Sequence, residues 1–181
     1  RILYYRRSEL DFVATDTTLV LSYELSDDIL AYVTFAKGYK SGGFEQRFVG
    51  PTPDGAPSSY RPESVDSLEL GLKTSSLDGR LRVNVAVFDA DYDDLQIIVR
   101  ESFNPLTVNA GAARVRGGEL ELQWLASANW DIGFSAGHLD TKYRRLNQPA
   151  QDSGVRLENK LANSPTWSLA AGTSYRLGLR S

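Results

Sequence analysis

The sequence predicts an all-β fold: an antiparallel, up-and-down meander of about seven strands that forms part of a transmembrane β-barrel. Three observations carry that expectation. Apolar residues recur with period two rather than the 3.6 spacing of amphipathic helices. Short turns alternate with long polar connections, so that turns of one kind fall on one side of the sheet. Aromatic residues gather where strands end.

The strands follow in order. Leu19, Leu21, Tyr23 and Leu25 alternate with Val20, Ser22 and Glu24, and Val33, Phe35 and Tyr39 share a face of the next run. In "SLELGLK", Leu68, Leu70 and Leu72 oppose Glu69, Gly71 and Lys73, a half-buried strand pattern. Leu81, Val83, Val85 and Val87 oppose Arg80, Arg82, Asn84 and Ala86, while Leu120, Leu122 and Trp124 oppose Glu119, Glu121 and Gln123. Trp130, Ile132, Phe134 and Ala136 alternate with Asp131, Gly133 and Ser135, and Trp167, Leu169, Ala171 and Tyr175 with Ser168, Ala170, Gly172 and Ser174. Strands are expected near 17–25, 29–39, 64–75, 80–99, 107–125, 130–144 and 165–177, with no helix between them. Short turns sit at 26–28, 76–79 and 127–129; long polar connections cover 40–62 and 146–163, with a smaller one near 101–106.

The direction of the apolar face follows from size and from the other face. About 26 residues per strand and connection is well above the ~8–12 of a soluble sandwich. The opposite face mixes Glu, Lys, Arg, Gln and Ser with Gly and Ala, as a crowded polar lumen does. Phe35, Tyr39, Trp124, Trp130, Trp167 and Tyr175 then read as the aromatic girdle of a lipid-facing band about 25 Å tall.

Composition removes several classes of function. A formal charge of -3 from 20 basic and 23 acidic residues, interspersed along 181, gives no nucleic-acid footprint. The absence of cysteine excludes disulfide frameworks, zinc–cysteine sites and thiol nucleophiles. No apolar run approaches the ~18 residues of a spanning helix, which leaves strands as the way across a bilayer. With Arg1 first and no methionine, the sequence reads as an excerpt.

Four stretches carry a resemblance: "YVTFAKGYKSGGF", "YRPESVDSLELGLKTSSLDGRLRVNVAVFDADYDDLQ", "VNAGAARVRGGELELQW" and "NKLANSPTWSLAAGTSYRL". In order and spacing the chain resembles the C-terminal barrel portion of the TonB-dependent outer-membrane receptors. That resemblance implies a barrel of about 22 strands with a plugged lumen. It implies that the plug, the segment contacting TonB and the final strands lie outside these residues. It further implies import of a scarce ligand, a ferric siderophore first, with the TonB energy-coupling protein, the lipid bilayer and a small-molecule metal chelate as partners. Neither an enzyme activity nor a cofactor is implied. A passive porin or an adhesin-type barrel is the alternative from another class. As a partial barrel with open edges and an apolar outer face, the isolated segment is expected to be insoluble or multimeric.

Within that frame "FAKGYKSGGFEQRF" reads as a membrane boundary. Lys40 is expected where the chain leaves lipid, and Ser41-Gly42-Gly43 turns it into an external loop through conformations only glycine adopts easily. Phe44, Gln46, Arg47 and Tyr60 are the ligand-contact candidates, Arg47 and Tyr60 suiting an anionic or aromatic chelate.

Three clusters are weighed for chemistry. His138, the sole histidine, shares strand parity with Asp140, but no nucleophile elbow accompanies it, so a barrel-wall residue is favoured over a hydrolase. Asp89, Asp91, Asp93 and Asp94 offer oxygen ligands, but alternate carboxylates on a strand lie nearly 7 Å apart, so no metal site is expected. The strand has instead left the bilayer by Asp89, with Tyr92 near the interface; arginine at Val83 is then costly and leucine at Asp89 or Asp91 tolerated. Arg114, Arg116, Gly117 and Gly118 lack the strand-to-helix context of a phosphate loop, and the glycines mark a bulge or a close approach to the plug.

Overall fold

The structure is a computed structural model that describes residues 8–45, 58–101 and 104–177. Its elements are β1 (Thr17–Ser26), β2 (Ile29–Lys40), β3 (Gly43–Phe44), β4 (Ser59–Tyr60), β5 (Glu63–Ser76), β6 (Leu81–Asp93), β7 (Gln96–Glu101), β8 (Asn104–Asn109), β9 (Gly111–Ser127), β10 (Trp130–Leu146), α1 (Gln148–Asp152) and β11 (Trp167–Tyr175). Seven of them make one antiparallel sheet in the order β1-β2-β5-β6-β9-β10-β11, and β3–β4 and β7–β8 form separate small hairpins. The sheet is a single layer, so the two edge strands are exposed on every residue.

Two expected strands are divided. The 80–99 run is β6 plus β7, and the 107–125 run is the end of β8 plus β9, with the β7–β8 hairpin standing between the wall strands. The break is local backbone chemistry. Asp94 takes φ 51° and Gly111 φ 130°, left-handed conformations that end β6 and open β9, and both suit these residue types. The 146–163 connection is not wholly irregular either, because Pro149 sits in the first turn of the short helix α1.

The register places every apolar run on one face. Leu21, Val33, Leu70, Val87, Gly118, His138 and Trp167 are aligned across all seven strands, as are Tyr23, Ala31, Leu72, Val85, Leu120, Ala136 and Leu169. Many of these side chains are exposed, including Leu70, Val87, Trp167 and Leu169. A lipid-facing wall has this property, since its apolar face has no protein to pack against.

The same register fixes the tilt. Ile29, beside the first short turn, is level with Thr74, two residues short of Ser76 at the second; Leu81 is level with Ile132, two residues short of Trp130 at the third. Each step across two strands climbs two residues, about 6.8 Å along the strand for about 9.6 Å across, which is a tilt of about 35°. That lies within the ~35–45° of outer-membrane barrels. Trp130 to His138 on β10 spans eight residues, so at this tilt the apolar band is about 22 Å tall.

Packing between elements is concentrated beyond the band, at the long-loop end. Leu95, Ala110, Ala113, Tyr143 and Ala150 form the buried cluster, with Tyr92, Ile97, Leu146, Val155 and Leu161 against it. Tyr92 therefore faces the lumen side and joins this core rather than lying at the lipid interface. Its even position in β6 puts it opposite the apolar parity.

Candidate functional site: the external mouth

Outward-facing aromatics mark both limits of the band. At the short-turn end Trp130 pairs with Tyr175, its indole N–H donates to Thr173 Oγ1 at 2.6 Å, and Trp124 is level with Ile132. Towards the loops stand Phe35, Trp167 and, further out, half-buried Tyr39. His138 faces outward with them, its ring 4.6 Å from that of Trp167 in an edge arrangement. It stands in the wall, away from the cleft described below.

Just beyond Val87 and Gly118 the outward face becomes charged. Asp89 accepts from Arg114 Nε at 2.7 Å and from Arg116 Nε at 3.0 Å, while Arg144 Nη1 is 2.6 Å from Asp91 and Lys142 Nζ 3.2 Å from Asp140. Arg114 Nη2 closes a second contact on Asp89. Hydrogen bonding to Arg114, reinforced by Arg116, holds the Asp89 carboxyl, which lies outside the apolar band, below its usual pKa range. These carboxylates are thus engaged by the wall's own cations. Gly117 and Gly118 lie in an unbulged stretch of β9. The close approach at Gly117 is to Phe88 and the His138 carbonyl, since an added Cβ would lie 2.5 Å from the Phe88 ring and 2.7 Å from that oxygen.

The opposite face is the polar, lumen-side wall. Tyr32 donates to Glu69 at 2.8 Å and Asn84 to Glu121 at 3.4 Å, with Lys73 Nζ 5.4 Å from the Tyr32 ring centroid. A shallow depression of about 600 Å³ lies against this wall near Arg82, Glu121 and Gly133.

The deeper feature is at the external mouth. A cleft of about 890 Å³ is lined by Lys40, Tyr60, Gln96, Thr107, Tyr143, Asn159, Lys160 and Asn163 together with Leu95, Ile97, Val155 and Leu161. Three connections build it. The limbs of the first loop pair as β3–β4, with Gly43 opposite Tyr60 and Phe44 opposite Ser59. Asn109 ties that hairpin to β8: its Oδ1 accepts from the Arg61 N–H at 2.7 Å and its Nδ2 donates to the carbonyls of Arg61 and Asp94, both at 2.8 Å. Gln96 Nε2 adds donors to the carbonyls of Ser41 and Arg61, at 3.0 and 3.1 Å. The third connection enters through α1, where the Asn147 N–H donates to the Ala110 carbonyl at 2.6 Å.

Of the four ligand-contact candidates, Tyr60 lines the cleft and Phe44 lies in its hairpin wall; Gln46 and Arg47 lie outside the described residues. Two expectations about the loop entry change. Lys40 is on the lumen parity of β2 and faces the cleft, and Lys37 takes the outward boundary place, 3.0 Å from Asp66. Gly42 and Gly43 are not needed for positive φ. An added Cβ at Gly42 would meet the Tyr60 carbonyl at 2.4 Å, and at Gly43 the Tyr60 hydroxyl at 2.8 Å, so the pair lets the two limbs of the loop close. Gln96, Tyr143 and Lys160 were missed by sequence reasoning. Only for Lys40 was a signal present, since it lies one residue off the parity of Phe35 and Tyr39.

Comparison with known proteins agrees with this architecture. The family model described as "TonB dependent receptor-like, beta-barrel" matches residues 9–180. A Bordetella pertussis protein named "Probable TonB-dependent receptor BfrD" is 25% identical over 159 residues, covering 88% of this chain and 20% of that protein. A pesticin receptor of Yersinia enterocolitica is 30% identical over 125 residues, 69% of this chain and 18% of the receptor. The crystal structure of the ferric yersiniabactin uptake receptor of Yersinia pestis superposes with a TM-score of 0.70 at 23% identity, covering 90% of this chain and 23% of that one. The chain thus spans about a fifth of the length of these relatives.

Proposed function

The chain belongs to the TonB-dependent receptor-like β-barrel family of the outer membrane, and on that premise we propose that it forms wall and external mouth of a TonB-energised importer of a scarce ligand, a ferric siderophore first. In this reading the plug, the segment that contacts TonB and the remaining barrel strands are supplied by the rest of the receptor. The observation that carries it is the cleft at the loop end, where Tyr60 and the cross-tied loops give a built surface above the lumen. The ferric yersiniabactin uptake receptor of Yersinia pestis, whose fold this chain shares, supports the ligand class. The work of such a site is recognition followed by release when a partner shifts the receptor's conformational populations, with no bond made or broken in the cargo.

The test is growth rescue. The full-length receptor, expressed in a host lacking its own siderophore receptors, should restore growth under iron limitation with at least one member of a panel of ferric chelates. The rescue should vanish when TonB is deleted. Rescue that survives the deletion would establish the passive-pore alternative instead.

A further inference from the structure

We propose that Lys40 and Lys160 are specificity-determining residues that make the external cleft selective for a negatively charged chelate bearing an aryl face. The proposal rests on the import reading above and deepens it. Both lysines line the cleft from separate connections, Lys40 at the end of β2 and Lys160 ahead of β11. Lys160 Nζ contacts Thr166 Oγ1, which orients its ammonium without neutralising it. Half-buried Tyr60 supplies an aromatic ring in the same lining, the kind of surface an aromatic chelating arm stacks on, while Tyr143 is held in the buried cluster.

The acids nearby decide the sign. Among the described residues no carboxylate lines the cleft. Glu63, opposite Lys40 across the β2–β5 ladder, accepts the Gln96 N–H at 2.7 Å. Glu45 accepts the Thr107 N–H at 2.7 Å, and Asp94 is 2.7 Å from Arg61. Glu158, next in sequence to the cleft-lining Asn159, lines a different groove with Arg144 and Arg156. Each of these carboxylates keeps its charge but is held to a loop N–H, to an arginine or to another surface, outside the lining that carries the two ammonium groups. Among the described residues the lining itself thus carries positive charge only, and a lining of one sign favours ligands of the opposite sign over its own.

The experiment uses the full-length receptor in detergent and two ferric probes of similar size, a triply anionic tris-catecholate and a neutral tris-hydroxamate. Their half-saturating concentrations are compared by fluorescence quenching at low and high salt. The wild type should take the anionic complex more tightly. Lys40→Glu and Lys160→Glu should each weaken it about tenfold and leave the neutral complex within about twofold. Lys40→Gln should fall between, and added salt should shrink the difference. Unchanged heat-modifiable migration of the variants on gels separates charge from misassembly. A wild-type preference for the neutral complex, or indifference of the anionic one to both reversals, overturns this inference and leaves the import reading standing. Binding of neither probe also overturns this inference, whereas the import reading falls only if the whole chelate panel fails to rescue growth.

Discussion

Arginine in place of Val85 tests the orientation of the whole wall. Val85 is four residues from Leu81, beside the second short turn, so at a tilt of about 35° it sits about 11 Å above that end of a band about 22 Å tall. It is therefore at mid-depth with an outward, exposed side chain. Arginine at the midplane of a lipid face costs about 2–4 kcal/mol, against about 0–1 near the interfaces. Asp89, four residues further along and level with Arg116, lies just beyond the outer limit of the band. Asp89→Leu there removes the partner of Arg114 and Arg116, a solvent-screened pairing whose loss costs little. Denaturant unfolding of the full-length barrel in lipid vesicles measures both variants. Val85→Arg should lose at least twice what Asp89→Leu loses, and Asn84→Arg on the lumen face should lose little. An Asn84→Arg variant as damaged as Val85→Arg would refute the assigned faces.

Other consequences are more local. Gly117→Ala should destabilise the barrel by about 1–3 kcal/mol in thermal unfolding, because the new methyl overlaps Phe88 and the His138 carbonyl. Gly172→Ala, with nothing within 4 Å, should stay within about 0.5 kcal/mol. Asn109→Ala should speed amide exchange at Arg61 by about tenfold or more, leaving wall-strand exchange unchanged, because it removes the two hydrogen bonds that tie Arg61 to β8, along with a third to the Asp94 carbonyl. Replacing residues 45–60 by a Gly-Ser linker should weaken chelate binding by the full receptor while sparing its assembly, since Tyr60 leaves the cleft and the wall pairs are untouched.

The wall was legible in the sequence because each strand has one lipid face, which forces strict alternation from Leu68 to Leu72 or from Leu120 to Trp124. The division of 80–99 was not, because apolar parity continues past Asp93 through Leu95, Ile97 and Val99; only the left-handed turn at Asp94 shows that these residues belong to a different hairpin. The charged outer rim depends on pairing across a skipped hairpin, which brings Asp89 against Arg116, distant along the chain. Strand parity alone left those carboxylates without named partners. The cleft is the least local feature of all. Lys40, Gln96, Tyr143 and Lys160 come from β2, β7, β10 and the connection before β11, and their meeting depends on the Asn109 and Gln96 ties, which no period or motif announces.

The claim on which the rest depends is that the odd residues of β6 face lipid up to Val87 and water beyond it. The segment has no cysteine, so single cysteines introduced at successive positions from 82 to 91 of the receptor can each carry a nitroxide. Power-saturation measurements in lipid vesicles should show high oxygen accessibility at 83, 85 and 87 and low values at 84, 86 and 88. At 89 and 91 the signal should change to high accessibility for a water-soluble nickel reagent. Oxygen maxima on the even positions, or a profile without period two, would contradict the account.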